Sequence, residues 1–191
     1  MEYTLIAAEN FQPKSWSGGT TTELFIFPPG ASYLQRNFQF RLSTATVETD
    51  KSDFSILPGV SRKLMVLSGE ITLHHEGHHS RHLSKFEIDE FEGDWKTSSL
   101  GKCTDFNLMT TGKTTGTLAT VNVKVNQHIR HIIKSKGHWL FMYVYKGIVR
   151  IHLNDKVTTG NKGDLLVVHK LISDLDIEGI ENSELILSEV I

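Results

Sequence analysis

Short segments in which apolar and polar residues alternate recur along the whole chain, and this period of two predicts β-strands. In residues 38–47 (FQFRLSTATV), the two phenylalanines and Leu42 share one face, whereas Arg41 and Ser43 share the other. The predicted strands cover residues 3–7, 21–27, 38–47, 61–67, 70–75, 97–109, 117–125, 128–133, 139–145, 148–153, 164–169 and 184–189. Residues 80–92 carry enough charge for a loop or one short helix, and no helix longer than two turns is predicted.

A degenerate repeat divides this all-β pattern into two halves. The run MVLSGEITLHH in the first half resembles YKGIVRIHL in the second, since each joins two strands through a glycine turn. The patternless stretch GKTTG (112–116) lies between the halves. Many short strands without helices indicate sandwiches or barrels. We therefore expect two small jelly-roll barrels, the first formed by residues 1–112 and the second by residues 113–191.

The stretch ILPGVSRKLMVLSGE (56–70) places an arginine on an otherwise apolar strand face. Pro58 and Gly59 suit the centre of a type II turn, and the strand that follows puts Arg62 on the same face as Leu64 and Val66. One interpretation is that the Arg62 side chain extends along the surface to reach water. The other is that it points into a cavity and binds an anion, because guanidinium offers carboxylates a planar fork.

A second polar pair lies on the predicted strand at 97–109. Asp105 and Asn107 share a face, opposite two apolar neighbours, so this polar face is either exposed to solvent or directed into a polar cavity. A cavity lined by Asp105, Asn107, Arg41 and Arg62 would suit a small carboxylate ligand that also carries hydrogen-bonding groups.

The run HHEGHHSRH contains His74, His75, His78, His79 and His82 and has the composition of a metal site. Its spacing argues against one, because Glu-Gly reads as a hairpin tip and the histidines then alternate between both faces of the arms. Metal sites need ligands that converge on one point. We therefore predict no metal site, and either opportunistic binding by exposed imidazoles or no function for them. A metalloprotein that uses this cluster is the weaker alternative.

Composition excludes several functional classes. The 39% apolar content predicts a packed globule, and the 20 basic and 22 acidic residues give a net charge of −2, which disfavours nucleic-acid and membrane surfaces. Cys103 is the single cysteine, so no internal disulfide is possible. The N-terminal sequence lacks the pattern of a signal peptide, and no run is long enough for a transmembrane helix. These features lead us to expect a cytoplasmic protein.

Six motifs in a fixed order resemble the HutD/Ves family. They are WSGGTTTEL (16–24), FRLSTATV (40–47), the spaced pair Asp50 and Phe54, LPGVSRKLMVLSG (57–69), FEGDW (91–95) and DFNLMT (105–110). The resemblance implies a bicupin, with two cupin-type barrels in one chain. It also implies an accessory or regulatory role in histidine utilisation rather than a pathway enzyme.

By position in the matching motifs, the resemblance implies a ligand site formed by Glu23, Arg41, Arg62, Asp105 and Asn107. The expected ligand is a small carboxylate metabolite similar to urocanate or formylglutamate. Neither a metal nor another cofactor is expected, since the His-x-His pattern of metal cupins is absent. The alternative is a metal-independent isomerase or lyase acting on a similar acid, with Glu23 or Asp105 as general base. The sequence leaves the oligomeric state open, with a homodimer as one option.

Overall fold

The computed structural model describes residues 2–132, 139–153, 155–170 and 174–191. In chain order the strands are β1 (Glu2–Ile6), β2 (Pro13–Trp16), β3 (Gly19–Phe27), β4 (Phe40–Val47), β5 (Lys51–Asp53), β6 (Val60–Gly69), β7 (Ile71–His75), β8 (Ser80–Leu83), β9 (Ile88–Glu92), β10 (Thr97–Leu100), β11 (Cys103–Thr111), β12 (Gly116–Val123), β13 (His128–Ile132), β14 (Trp139–Lys146), β15 (Ile148–Leu153), β16 (Lys156–Asn161), β17 (Leu165–His169), β18 (Asp174–Gly179) and β19 (Ser183–Val190). A single 3-10 turn, Ala8–Asn10, is the only helical element in these ranges. The predicted all-β class is confirmed.

The chain divides into two compact units, here called the first barrel (Phe11–Thr115) and the second barrel (Met1–Asn10 with Gly116–Ile191). The sequence boundaries of 1–112 and 113–191 differ from these units mainly at the N-terminus. Strand β1 pairs along its length with β17, so Glu2–Ile6 form the edge of a sheet of the second barrel. A short strand at a chain terminus gives no sequence signal of its distant pairing partner, which is why periodicity could not assign it.

Two antiparallel sheets form the first barrel. One has the strand order β2-β3-β4-β11-β6-β9 and the other β5-β10-β7-β8. Their facing side chains build one core, which contains Val47, Leu64, Val66, Ile71, Leu73, Leu83, Phe91 and Cys103. Burial of such aliphatic and aromatic side chains supplies the main driving force for joining the two sheets.

The turn that begins β6 forms as the sequence predicts. The backbone N–H of Val60 donates to the carbonyl of Leu57 at 3.2 Å, and Gly59 adopts a φ of +75°. Positive φ at this position strains any residue with a Cβ atom, so Pro58-Gly59 sets where the strand starts. This fixes the direction in which Arg62 faces.

The second barrel repeats the two-sheet plan, with strand orders β1-β17-β14-β19-β12 and β13-β18-β15-β16. Its interior is a continuous apolar cluster, with Val123, Leu140, Met142, Val144, Val149, Ile151, Leu153, Leu166, Val168, Leu175, Ile177, Leu185 and Leu187. Asp164 of this barrel is buried as well, and its carboxylate accepts hydrogen bonds from the N–H groups of Ala8 and Asn161.

Two segments differ from the sequence prediction. Residues 80–92 contain β8 and β9 rather than a loop or helix. Leu83, Asp89 and Phe91 are buried, whereas Glu90 and Glu92 are exposed. Residues 97–109 form two strands, since the chain turns at Gly101 with a φ of +110°. A Cβ atom there would lie 2.6 Å from the Glu70 carbonyl oxygen, so glycine is required.

Across the ranges that the structure describes, no helix has the length and apolar character needed to cross a membrane.

Candidate functional site

A cavity of about 680 Å³ lies inside the first barrel. Its walls come from β2 to β6 and β11, together with the loops that precede β4 and β6. This volume is in the range of small-molecule sites. The five residues that the sequence places in a ligand site all line it, namely Glu23, Arg41, Arg62, Asp105 and Asn107.

Strand register explains why these residues meet. Strand β11 lies between β4 and β6, and Met109 pairs with Arg41 on one side and with Arg62 on the other. Residues paired across antiparallel strands point to the same face, so both guanidiniums project into the barrel interior. Asn107, two residues before Met109 in β11, pairs with Ser43 and extends the polar surface.

Arg41 is held by several partners. Its Nε donates to Glu23 Oε2 at 2.8 Å and one of its Nη atoms donates to Ser43 Oγ at 2.9 Å. The guanidinium carbon lies 4.7 Å from the centre of the Tyr33 ring. Charge-assisted hydrogen bonds of this kind fix both position and charge. Arg41 is therefore an oriented cation on the cavity wall whose charge Glu23 partly compensates.

Arg62 has the opposite environment. Its side chain is almost entirely buried, and its guanidinium carbon lies 4.8 Å from the Phe54 ring and 5.0 Å from the Phe91 ring. Among the described residues, no carboxylate lies within 4.0 Å of it, and its buried Nε has no hydrogen-bond partner. Burial lowers the pKa of Arg62 to about 10, so the group remains charged at neutral pH. Aromatic faces stabilise the cation only in part.

Asp105 is an acidic group of the cavity lining that interacts electrostatically with Arg62. It is 2% exposed, and its Oδ1 accepts a hydrogen bond from the Asn107 side-chain amide. Burial raises the pKa of Asp105 to about 7, although Asn107, Arg62 and the Ala45 N–H act in the opposite direction. The carboxyl group therefore changes charge close to neutral pH, inside the cavity.

Cys103 is not a nucleophile in this arrangement. Burial raises the pKa of its thiol to about 12, and Asp105 adds to the effect, with Oδ2 3.9 Å from Sγ. A thiol of this kind stays protonated at physiological pH, whereas reactive cysteines need an accessible thiolate.

Sequence reasoning missed further residues that line the cavity, including Ser43, Tyr33, Phe54, Trp16 and Lys14. Ser43 shares the face of Arg41 in the strand alternation, so a signal for it was present. Tyr33 and Phe54 lie in loops, where no periodicity indicates the direction of a side chain.

The five histidines of the β7–β8 hairpin divide into two groups. His74 and His82 contact hydroxyls on the exposed face, and His78 stacks on Trp95 with ring centres 3.8 Å apart. His75 and His79 instead face inward toward Asp89. The predicted alternation is thus present, yet it places two imidazoles on the same inner face.

Comparisons with known proteins determine the family. The sequence model described as HutD matches residues 8–186, which is nearly the whole chain. This chain belongs to the HutD family. The family is associated with histidine utilisation. No curated protein gives a significant match.

Solved structures agree with the HutD assignment. PA5104 from Pseudomonas aeruginosa PAO1, described as a conserved protein of unknown function, is 22% identical, with a TM-score of 0.86 over 100% of this chain and 99% of that one. HutD from Pseudomonas fluorescens SBW25 is 21% identical, with a TM-score of 0.76 over 98% of both chains. YhhW from Escherichia coli is 12% identical, with a TM-score of 0.78 over 98% of this chain and 97% of that one. At these identities the likeness establishes the fold, an all-β bicupin.

Proposed function

We propose that the cavity of the first barrel binds a small carboxylate metabolite, in a non-enzymatic accessory or regulatory role in histidine utilisation. The observation that carries this proposal is the buried guanidinium of Arg62, which lines the cavity with an unsatisfied Nε and without a carboxylate in ion-pair contact among the described residues. A buried charge that is not paired lowers the stability of the folded protein by several kcal/mol, on the order of the contribution of one large core side chain. A carboxylate ligand would offset this cost with two charge-assisted hydrogen bonds.

The contrast with Arg41 supports Arg62 as the anion-binding group. Glu23 and Ser43 already occupy Arg41, so its remaining role is to add positive potential and fix the cavity wall. Arg62 lies beside two aromatic faces, which attract the cation but accept no hydrogen bonds, and Asp105 acts on it by charge without an ion-pair contact. The polar contacts that its N–H groups need are left for a ligand.

The rest of the lining favours an acid that also carries other polar groups. Asp105 and Asn107 offer hydrogen-bonding groups beyond the guanidiniums, while Trp16 and Tyr33 supply aromatic surface. A urocanate-like acid would combine a carboxylate with a flat ring that stacks and donates. A formylglutamate-like acid would present a second carboxylate and an amide. Both are of the chemical class that this lining recognises.

The proposal is tested by calorimetric titration and thermal shift with urocanate, formylglutamate, histidine and glutamate. One acid is expected to bind and raise the midpoint of unfolding without added zinc, because a ligand specific to the native state stabilises by mass action. Arg62→Ala is expected to weaken that binding by about tenfold to a hundredfold. Arg150→Ala is the matched control, since Arg150 is a half-exposed arginine of the second barrel that pairs with Glu178. Equal affinity in the Arg62 variant would refute the assignment.

One observation favours a second candidate, a metal-independent isomerase or lyase. A buried carboxyl with a pKa of about 7 is suited to accept and return a proton. Incubation of each bound acid with the protein, followed by nuclear magnetic resonance of the products, separates the two functions. Substrate loss that disappears in Asp105→Asn, while binding persists, would favour the enzyme over the binding protein.

A further inference from the structure

A second cluster of chemically active side chains lies in the first barrel, outside the cavity lining. His75, His79 and Asp89 each offer one ligand atom, and these atoms all lie within 4.8 Å of one another. His75 and His79 flank the tip of the β7–β8 hairpin, and the His75 N–H donates to the His79 carbonyl at 2.8 Å. Residues paired in this way face the same side. Asp89 comes from β9, which belongs to the other sheet, so the cluster joins both sheets.

The distances in the cluster match those between ligands of one ion. His75 Nε2 lies 3.0 Å from Asp89 Oδ2, and His79 Nε2 lies 3.2 Å and 3.3 Å from the two Asp89 oxygens. Two ligands about 2.1 Å from a tetrahedral ion are about 3.4 Å apart. A cation could therefore replace the hydrogen-bonded protons with little movement of the backbone.

A hydrogen bond from the far side of His75 orients it as a metal-binding imidazole. Its Nδ1 lies 2.8 Å from Thr97 Oγ1, and the Thr97 hydroxyl in turn donates to the Trp95 carbonyl at 3.2 Å. With the hydroxyl proton used there, Nδ1–H of His75 is the donor, and Nε2 becomes free to bind an ion once the ion displaces the proton that Nε2 shares with Asp89. Metal-bound histidines are usually held in this way through their second nitrogen.

Burial shows that these groups are placed at a cost. His75 and Asp89 are 1% and 2% exposed, and polar groups at such positions need strong compensation. The side chain of His79 is 41% exposed, which gives an ion an entry path and leaves coordination positions for water. The backbone N–H of Glu90 donates to Asp89 Oδ1 at 3.0 Å and fixes the carboxylate.

We propose that His75, His79 and Asp89 bind one divalent first-row transition-metal cation, of the Zn²⁺, Co²⁺ or Ni²⁺ class, with water completing the coordination. Imidazole nitrogen is a poor ligand for Ca²⁺ and Mg²⁺ and a good one for these ions. This site is separate from the carboxylate cavity, and either can exist without the other.

The test uses the full chain without a polyhistidine tag, stripped with chelator and titrated with Zn²⁺ and Co²⁺ by calorimetry and absorption spectroscopy. We expect one ion per chain and a Co²⁺ spectrum typical of nitrogen and oxygen ligands. His79→Ala is the main variant, because His79 is half-exposed and its loss leaves the core intact; it is expected to weaken binding at least tenfold. Asp89→Asn is the second variant, and circular dichroism checks that each is folded.

His82→Ala is the matched control, since His82 lies on the exposed face of the same hairpin. It is expected to bind the ion as the parent protein does. Several weak ions per chain, lowered as much by His82→Ala as by His79→Ala, would show opportunistic binding to surface imidazoles and overturn the proposal. An absence of binding to the parent protein would overturn it as well.

Discussion

The two barrels share one plan but differ in what fills them. In each, a long strand ends at a turn glycine, which is Gly69 at the end of β6 and Gly147 directly after β14. The residue seven positions before that glycine is Arg62 in the first barrel and Leu140 in the second. Both are buried, and Leu140 belongs to the apolar cluster. The second barrel therefore shows that the fold itself does not require a charge at this position.

The neighbouring strands repeat this difference. Asp105 of β11 pairs with the residue three positions before the glycine of β6, and Leu185 of β19 pairs with the corresponding residue of β14. Asn107 and Leu187 correspond as well, because each pairs with the residue five positions before the glycine of its barrel. Both leucines are core residues of the second barrel. A polar pair in the first barrel thus stands where the second has a packed aliphatic pair.

The histidine cluster follows the same rule. His75 lies six residues after its turn glycine, and Leu153 lies six residues after the other. Asp89 pairs with Leu64 of β6, and the corresponding partner in the second barrel is Leu166. Five polar residues of the two proposed sites, Arg62, Asp105, Asn107, His75 and Asp89, therefore occupy interior positions that the second barrel fills with leucine. The comparison teaches that one barrel supplies packing, while the other gives up packing for binding chemistry.

The largest expected effect comes from breaking this division in the second barrel. Leu140→Arg would place a charge in a cluster built from aliphatic and methionine side chains, at a cost of roughly 4 kcal/mol or more. Urea unfolding or the soluble yield measures the loss. Val157→Arg, at an exposed position of β16, is the control and is expected to change stability little. A small loss for Leu140→Arg would mean that the second barrel also tolerates interior charge.

A medium effect is expected from pH. The pKa of Asp105 is raised by burial to about 7, whereas it is near 4 in an unfolded chain. Between these values the folded protein holds a proton that the unfolded chain releases, so this group makes stability fall as pH rises from about 4 to about 7. Over pH 5 to 7 the contribution is on the order of 2 kcal/mol.

The measurement compares urea unfolding of the parent protein and Asp105→Asn at several pH values. The stability advantage of the variant should grow up to about pH 7 and then level off. Asp155→Asn, at an exposed position of the second barrel, should run parallel to the parent protein. A difference between parent and Asp105→Asn that does not vary with pH would show that Asp105 titrates at its ordinary value.

Alternation grouped several of the residues that line the first-barrel cavity, and its limits are physical. The period of two placed Arg41 with Ser43, and Asp105 with Asn107, on shared faces. It could not say which face was the interior, because a strand buried on both sides carries no polar face to mark the outside. Strand β11 is such a case, since Phe106 is as deeply buried as the polar residues beside it.

The histidine cluster was harder to predict for a different reason. A three-residue hairpin tip places His75 and His79 opposite each other. This part of the cluster could have been predicted from the spacing of the two histidines, whereas Asp89 could not. Asp89 comes from β9, a strand of the other sheet. The many charged residues in that segment made its alternation of buried and exposed positions difficult to recognise in the sequence. Contacts between sheets depend on tertiary packing, which a local pattern does not encode.

The smallest expected effect on stability is the most informative about function. Arg62→Leu copies the second barrel, and it should raise the free energy of unfolding of the ligand-free protein by about 1 kcal/mol. The reason is that it removes a buried unpaired charge, and the gain is modest because the contacts with Phe54 and Phe91 are also lost. The same variant should lose carboxylate binding. Urea unfolding and calorimetry on one preparation measure both quantities.

A structural arginine would give the opposite sign, since its replacement would destabilise the barrel. A stability gain together with lost binding would therefore identify Arg62 as a residue kept for its ligand rather than for the fold.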